Sequence, residues 1–191
     1  MKTTDLEIRK VLYRKTLYDI KTQDPSTKII EELGLCQGDA RIDIVALNGA
    51  IHGFEIKSES DDLRRLPIQV DFYNKVLDTI TIVMGNRHLL KVKEIIPSWW
   101  GIITVEKKSK DNIILHNERK ANLNYQIDPS SLVQLLWREE ALSILKENNL
   151  EKGLVSKSRK LLWNRLVEKF SLDVLKSYVT EALNSRQKWR D

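Results

Sequence analysis

Three residues of this chain have the types and spacing that handle phosphate esters: Asp43 in Arg41-Ile-Asp-Ile-Val-Ala-Leu47, then Glu55 and Lys57 in Gly53-Phe-Glu-Ile-Lys57. Two carboxylates can hold a divalent cation, and an ammonium group beside them can balance charge that builds on a phosphodiester. The chemistry requires all three on one patch. Residues two apart on a strand share a face, so Glu55 and Lys57 point the same way while Ile56 points into a core. Asp43 has to be delivered by a neighbouring strand.

The flanking residues supply that strand. Ile42, Ile44 and Ala46 alternate with Arg41, Asp43 and Val45, Phe54 and Ile56 alternate with Glu55 and Lys57, and Asn48-Gly49 between them is a hairpin signal. Register then decides the outcome. A two-residue turn pairs Leu47 with Ala50 and sets Asp43 and Glu55 on opposite faces. A three-residue loop, or a bulge with Gly49 or Gly53 in a left-handed conformation, shifts pairing by one and brings them together. Burial asks for the same register, because only then do Ile42, Ile44 and Ala46 share the face of Phe54 and Ile56. The expectation is a bulged or odd-length hairpin, with His52 on the face away from the three polar residues.

Asp, then Glu-x-Lys on the next strand, resembles the PD-(D/E)XK or restriction-endonuclease-like nuclease superfamily. Gln69-Val-Asp-Phe-Tyr73 matches the Gln-x-x-x-Tyr signature of its RecB-like branch, four residues apart on one helix face. Upstream, Thr27-Lys-Ile-Ile-Glu-Glu-Leu-Gly34 reads as the end of a short helix stopped by glycine, carrying Glu31 or Glu32 where such nucleases often have a further acid; Glu32, nearer the glycine, is preferred. Gly38-Asp-Ala-Arg-Ile-Asp43, His52-Gly-Phe-Glu-Ile-Lys-Ser58, Asp61-x-Leu-x-Arg-Leu-Pro67, Trp99-Trp-Gly101 and Leu135-Leu-Trp-Arg-Glu139 together look like a bacterial and phage family of small nuclease-like proteins. The one departure is that Ile42, not proline, precedes Asp43.

The resemblance implies Mg²⁺ or Mn²⁺ held by Asp43, Glu55, the Ile56 carbonyl and Glu32, acting as Lewis acid and lowering the pKa of the attacking water. It implies Lys57 as the residue that orients that water or stabilises the charge on phosphorus, with Gln69 and Tyr73 lining the groove. Physical chemistry agrees on the cation. Three carboxylates in one site repel unless something neutralises them, and oxygen ligands without His or Cys favour a hard ion over zinc. His52, His88 and His116 lack metal-ligand spacing, and Cys36, the single cysteine, excludes disulfide and thiolate-zinc frameworks.

The remaining elements frame that site. Thr4-x-x-Glu7 is a capping box opening a helix whose apolar stripe is Ile8, Val11, Leu12 and Tyr18. A helix entered at Pro67, a strand from Thr79 to Met84, a helix from about Arg87 to Ile96 and a strand from Gly101 to Val105 follow, with Asn112 to His116 as an edge strand. That order gives an α/β fold: a restriction-endonuclease-like αβββαβ core with a mixed sheet between helices. From Pro129 the pattern is helical, in stripes Leu132/Leu135/Leu136/Leu142/Leu145, Leu161/Leu162/Leu166/Phe170 and Leu172/Leu175/Val179/Leu183, with Ser171 as a cap. The division is a nuclease-like core at 1–128 and a helical appendage at 129–191, jointed at Leu150 to Lys157. Trp99-Trp100 reads as a buried strand start.

Charge is uneven. Residues 1–150 carry 22 Lys/Arg and 22 Asp/Glu, and residues 151–191 carry 10 and 5, so the tail supplies the whole net charge of +5. A basic helical appendage reads as a phosphate-backbone grip, with Arg186, Lys188 and Arg190 around Trp189 as contacts, or as packing helices with lysine-rich outer faces. Arg64 and Arg65 either pair with Asp61 and Asp62 or contact phosphate. The expected partner is DNA in preference to RNA, with a homodimer allowed. Without a signal peptide or a membrane-spanning apolar run the expected location is the cytoplasm. Two rivals stand beside the nuclease: a non-cleaving DNA-binding module of the same fold, and a protein-interaction accessory of a mobile element or defence system.

Overall fold

The computed structural model describes residues 2–109 and 112–187. Its centre is one six-stranded mixed sheet in the order β1 (Lys28–Leu35), β2 (Ala40–Leu47), β3 (Ile51–Lys57), β4 (Thr79–Gly85), β5 (Gly101–Lys107) and β6 (Ile113–Arg119). β1, β2 and β3 are antiparallel, β3, β4 and β5 parallel, and β6 returns antiparallel to β5. The two parallel steps are crossovers through α3 (Leu66–Asn74) and α4 (Leu89–Ile95). With α1 (Asp5–Leu12) ahead of the sheet, the expected αβββαβ order stands.

Both faces of the sheet are covered. On one face Ile8, Leu12 and Leu17 pack on Ile44, Ala46, Phe54, Ile56 and Val83. On the other, α3 and the four C-terminal helices, α5 (Pro129–Leu132), α6 (Arg138–Glu147), α7 (Arg159–Lys169) and α8 (Leu172–Ser185), close a larger core that runs without interruption from Ile30 and Leu33 to Leu175 and Leu183. The helices beyond residue 129 therefore share the sheet's core, and residues 150–157 are turns between α6 and α7. The Lys28 ammonium caps the end of α8 by donating to the Leu183, Asn184 and Arg186 carbonyls.

The Thr4/Glu7 capping box forms as the spacing predicts. Tyr18 does not join the helix stripe: it is 65% exposed and Leu17 is buried in its place. The cause is a π turn, Tyr13–Leu17, between α1 and α2 (Tyr18–Gln23). Its i→i+5 spacing turns Leu17, five residues after Leu12, toward the core. Ser171 occupies the N-cap of α8 without a side-chain capping bond.

The expected helix at 27–34 is instead strand β1. Glu32, at φ +53, has the left-handed backbone that resets the alternation, so the inward positions pass from Ile30 to Leu33 and Leu35. That three-residue step imitates helical spacing. β2 breaks at the same level. Glu31 pairs with Ile44 and Leu33 with Ile42, leaving Glu32 opposite Asp43, and Ile42 joins the larger core while Ile44 and Ala46 face the smaller one. Ile42 is thus not on the face of Phe54 and Ile56, contrary to the simple alternation.

Candidate active site

The β2–β3 hairpin has the odd-length loop that the register argument requires. Leu47 pairs with Ile51, so Asn48, Gly49 and Ala50 form the loop, with Gly49 at φ +88. No side chain takes that φ cheaply, which accounts for the glycine. Ile44 then pairs with Phe54, and one step further Asp43 comes level with Glu55. Here the two strands part, and the Asp43 Oδ2 atom accepts the Ile56 backbone N–H at 2.7 Å. His52 lies on the other face, bonded to Thr79 and Asn48.

Glu55 and Lys57 are 1% and 7% exposed, and their side chains form an ion pair of 2.5 Å. A buried carboxylate is tolerated only when its lone pairs are satisfied. Glu55 meets that condition: Gln69 Nε2 donates to Oε1 at 2.8 Å and the Tyr73 hydroxyl reaches Oε2 at 2.7 Å. Gln69 and Tyr73 are 3.0 Å apart, one turn apart on α3, and the Tyr73 hydroxyl also lies 2.6 Å from the Arg41 carbonyl. Burial and the adjacent Glu55 push the Tyr73 phenol far above its ordinary value, so it stays a donor. The structure thus brings Asp43, Glu55, Lys57, Gln69 and Tyr73 together.

Burial, with the Glu55 charge adding to it, pushes the Asp43 carboxyl up to about 7, against the lowering effect of the Ile56 N–H, Lys57 and Arg9. Arg9 was not foreseen from the sequence. Its side chain reaches over from α1, donates to the Asp43 carbonyl at 3.3 Å, and stands 3.1 Å from Glu32 and 3.6 Å from the Asp43 carboxylate. Asp5 at 3.5 Å and Glu31 at 4.0 Å complete a cage of four carboxylates around one guanidinium. Burial works against the Arg9 charge, and the four acids together outweigh it. The only local signal was Asp5 four residues before Arg9; nothing in a single sequence joins that helix face to the hairpin.

A groove of about 920 Å³ opens over these residues, lined by Glu32 but not Glu31. Glu31 instead takes the Tyr13 hydroxyl at 2.5 Å. Arg9 and Arg41 hold Glu32, and it does not complete a three-carboxylate cluster. Among the described residues no three His, Cys, Asp or Glu side chains are grouped to hold a metal. A cation here would rest on Asp43, Glu55 and a main-chain oxygen such as that of Ile56. Two observations fit a hard cation. The groove lining has seven carboxylates against Arg41, Lys57 and Arg65, and the buried Gln69 Oε1 has no hydrogen-bond partner.

The outer candidates separate. Arg65 lines the groove, whereas Arg64 is tied to Asp62 at 2.7 Å, out in solvent. Arg186 is not a phosphate contact: its side chain is 4% exposed, paired with Glu140 at 2.6 Å and stacked on Trp137. A guanidinium desolvated and paired in this way is part of the packing. Lys188, Trp189 and Arg190 lie outside the described residues. Trp100 is fully buried with its indole N–H on Asn74, as a strand-start residue should be.

A mixed α/β sheet protein with a polar cluster at a split hairpin is the class that fold and site define. The chain belongs to the Bacteriophage P4 protein cII family, which it matches over residues 7–191. It is similar to Protein cII of Enterobacteria phage P4, at 21% identity over 175 residues that cover 92% of this chain and 63% of that protein. Among solved structures it is similar to the SPO1766 protein of unknown function from Silicibacter pomeroyi, at 17% identity and a TM-score of 0.39, covering 71% of this chain and 88% of that one. No helix among the described residues is long and apolar enough to cross a membrane.

Proposed function

We propose that this chain is a Mg²⁺- or Mn²⁺-dependent nuclease of the PD-(D/E)XK type that hydrolyses DNA phosphodiester bonds in the bacterial cytoplasm. The observation that carries the reading is the meeting of Asp43, Glu55 and Lys57, with Gln69 and Tyr73 behind them, at the parting of β2 and β3. The cation, when bound by Asp43, Glu55 and the Ile56 carbonyl, supplies Lewis-acid charge to the scissile phosphate.

The chain's own groups supply the rest. Gln69 and Tyr73 fix the Glu55 carboxylate from behind, so it presents a constant geometry. Lys57 has three N–H donors and gives one to Glu55, which leaves two to orient the attacking water or meet a phosphate oxygen. Asp43, with one oxygen on the Ile56 N–H and its carboxyl pushed up to about 7 by burial and Glu55, would hold the cation through its carboxylate form. Arg65 on the rim is placed to meet a backbone phosphate.

One observation favours the non-cleaving binding module of the same fold: Arg9 already supplies positive charge to Glu32 and Asp43. Linear, circular, single-stranded and branched DNA incubated with Mg²⁺ or Mn²⁺ separates the two. The nuclease reading expects metal-dependent product, abolished by EDTA and reduced about 10²–10³-fold by Lys57→Ala. Equal product from both proteins removes Lys57 from the mechanism. Retained DNA binding with no product under any condition establishes the rival.

A further inference from the structure

A second groove, of about 530 Å³, lies on the other flank of α1, lined by Glu7, Lys10, Arg14, Lys15 and the start of β6. Glu7, its one carboxylate among the described residues, is already engaged: Lys107 reaches it at 2.6 Å and the Thr4 N–H at 3.0 Å. Lys10, Arg14 and Lys15 are exposed, and none has an ion-pair partner among the described residues. Among the described residues the groove therefore keeps three positive charges without an ion pair. The backbone has a part in this, because Arg14 and Lys15 stand in the π turn Tyr13–Leu17. Such a turn spreads side chains that a regular helix would carry around its axis, and π turns gather at functional sites.

We propose that Lys10, Arg14 and Lys15 grip the DNA backbone, holding a strand across α1 so that it runs from this basic groove into the acidic one. The choice of DNA rests on the nuclease reading; the choice of a polyanion rests on the charges alone. α1 shows Asp5 to the acidic groove and Glu7 and Lys10 to the basic one, with Arg14 and Lys15 following in the π turn. A helix is about 10 Å across, and phosphates of one strand rise about 3.4 Å apiece, so the crossing takes about three nucleotides. Phosphates entering the acidic groove are repelled by its carboxylates, and a grip on the near side offsets that repulsion. The contact carries no base readout.

The test is fluorescence anisotropy with labelled duplex and single-stranded DNA in EDTA, over a series of salt concentrations. EDTA keeps binding separate from hydrolysis, so a protein that grips DNA through this groove and never cuts it would uphold this inference while sinking the nuclease. The triple variant Lys10→Gln, Arg14→Gln, Lys15→Gln should bind at least tenfold more weakly. Its log K against log[salt] slope should flatten by about 2 to 3, one counterion for each lost contact. A matched control, Lys152→Gln, Lys157→Gln, Lys160→Gln, should stay within twofold of the parent. Circular dichroism checks that both variants fold. Triple-variant binding within twofold of the parent, equal losses in variant and control, or no DNA binding by the parent overturns the proposal.

Discussion

The two grooves beside α1 are built from the same kinds of residue and are opposite in design. Over the β2–β3 hairpin the charges face inward: Glu55 and Lys57 are buried, each carboxylate oxygen of Glu55 has a donor, and four carboxylates share Arg9. Along the end of α1 and the π turn the charges face outward, with three cations in solvent and Glu7, the one acid lining that groove among the described residues, already paired. Inward charges are fixed in geometry by their partners, which suits chemistry. Outward charges keep side-chain freedom, which suits contact with a backbone that slides.

That contrast breaks most visibly with pH. Burial raises the Asp43 carboxyl from an ordinary 3.8 to about 7, so between those values the folded state holds a proton that the unfolded state has released. Stability must then fall as pH rises through this window, by up to about 4 kcal/mol for a three-unit shift. Urea unfolding at pH 5 and pH 8 measures it. Asp43→Asn should flatten the difference; an unchanged pH slope in that variant would show that Asp43 titrates normally.

Arg9→Gln sharpens the comparison from the other side. Removing the guanidinium leaves Asp43 and Glu32 facing each other, with a stability loss of about 1–2 kcal/mol after allowing for the half-exposed Glu32. Isothermal titration should show the variant binding Mn²⁺ more tightly than the parent, because an ion then takes over the neutralising role. Weaker Mn²⁺ binding would mean that Arg9 organises the ligands instead. The smallest effect belongs to the rim. Arg65→Ala should weaken DNA binding severalfold, whereas Arg64→Ala, already tied to Asp62, should stay within twofold. Reversed sensitivities would exchange their roles.

The hairpin was legible in the sequence because two independent demands, turn length and burial, selected one register, and Gly49 supplied the φ that the longer loop needs. Gln69 and Tyr73 were legible because a helix turn fixes their spacing. β1 was misread for a physical reason. The left-handed residue at Glu32 turns period two into a step of three, and Glu-Glu-Leu-Gly supplies what looks like a helix ending. Tyr18 was misplaced by the π turn in the same way, since one extra residue in a turn rotates everything after it. Arg186 shows the limit of counting charge: part of the tail's excess is consumed by Glu140 and Asp78 from the preceding chain. The Arg9 cage had Asp5 as its one local sign, because the other three acids come from β1 and β2.

The Lys28 cap on α8 bears on how this molecule assembles. It joins the edge strand to carbonyls 155 to 158 positions later. Contacts of such long sequence separation slow folding, because loop closure comes before any gain from them. The first strand's edge is therefore among the last parts to lock, after the final helix has been made. During synthesis the first strand can pair with the carboxylate-bearing hairpin before α8 exists, and a cut-back variant ending before α8 should keep that pairing while leaving apolar surface of the larger core uncovered.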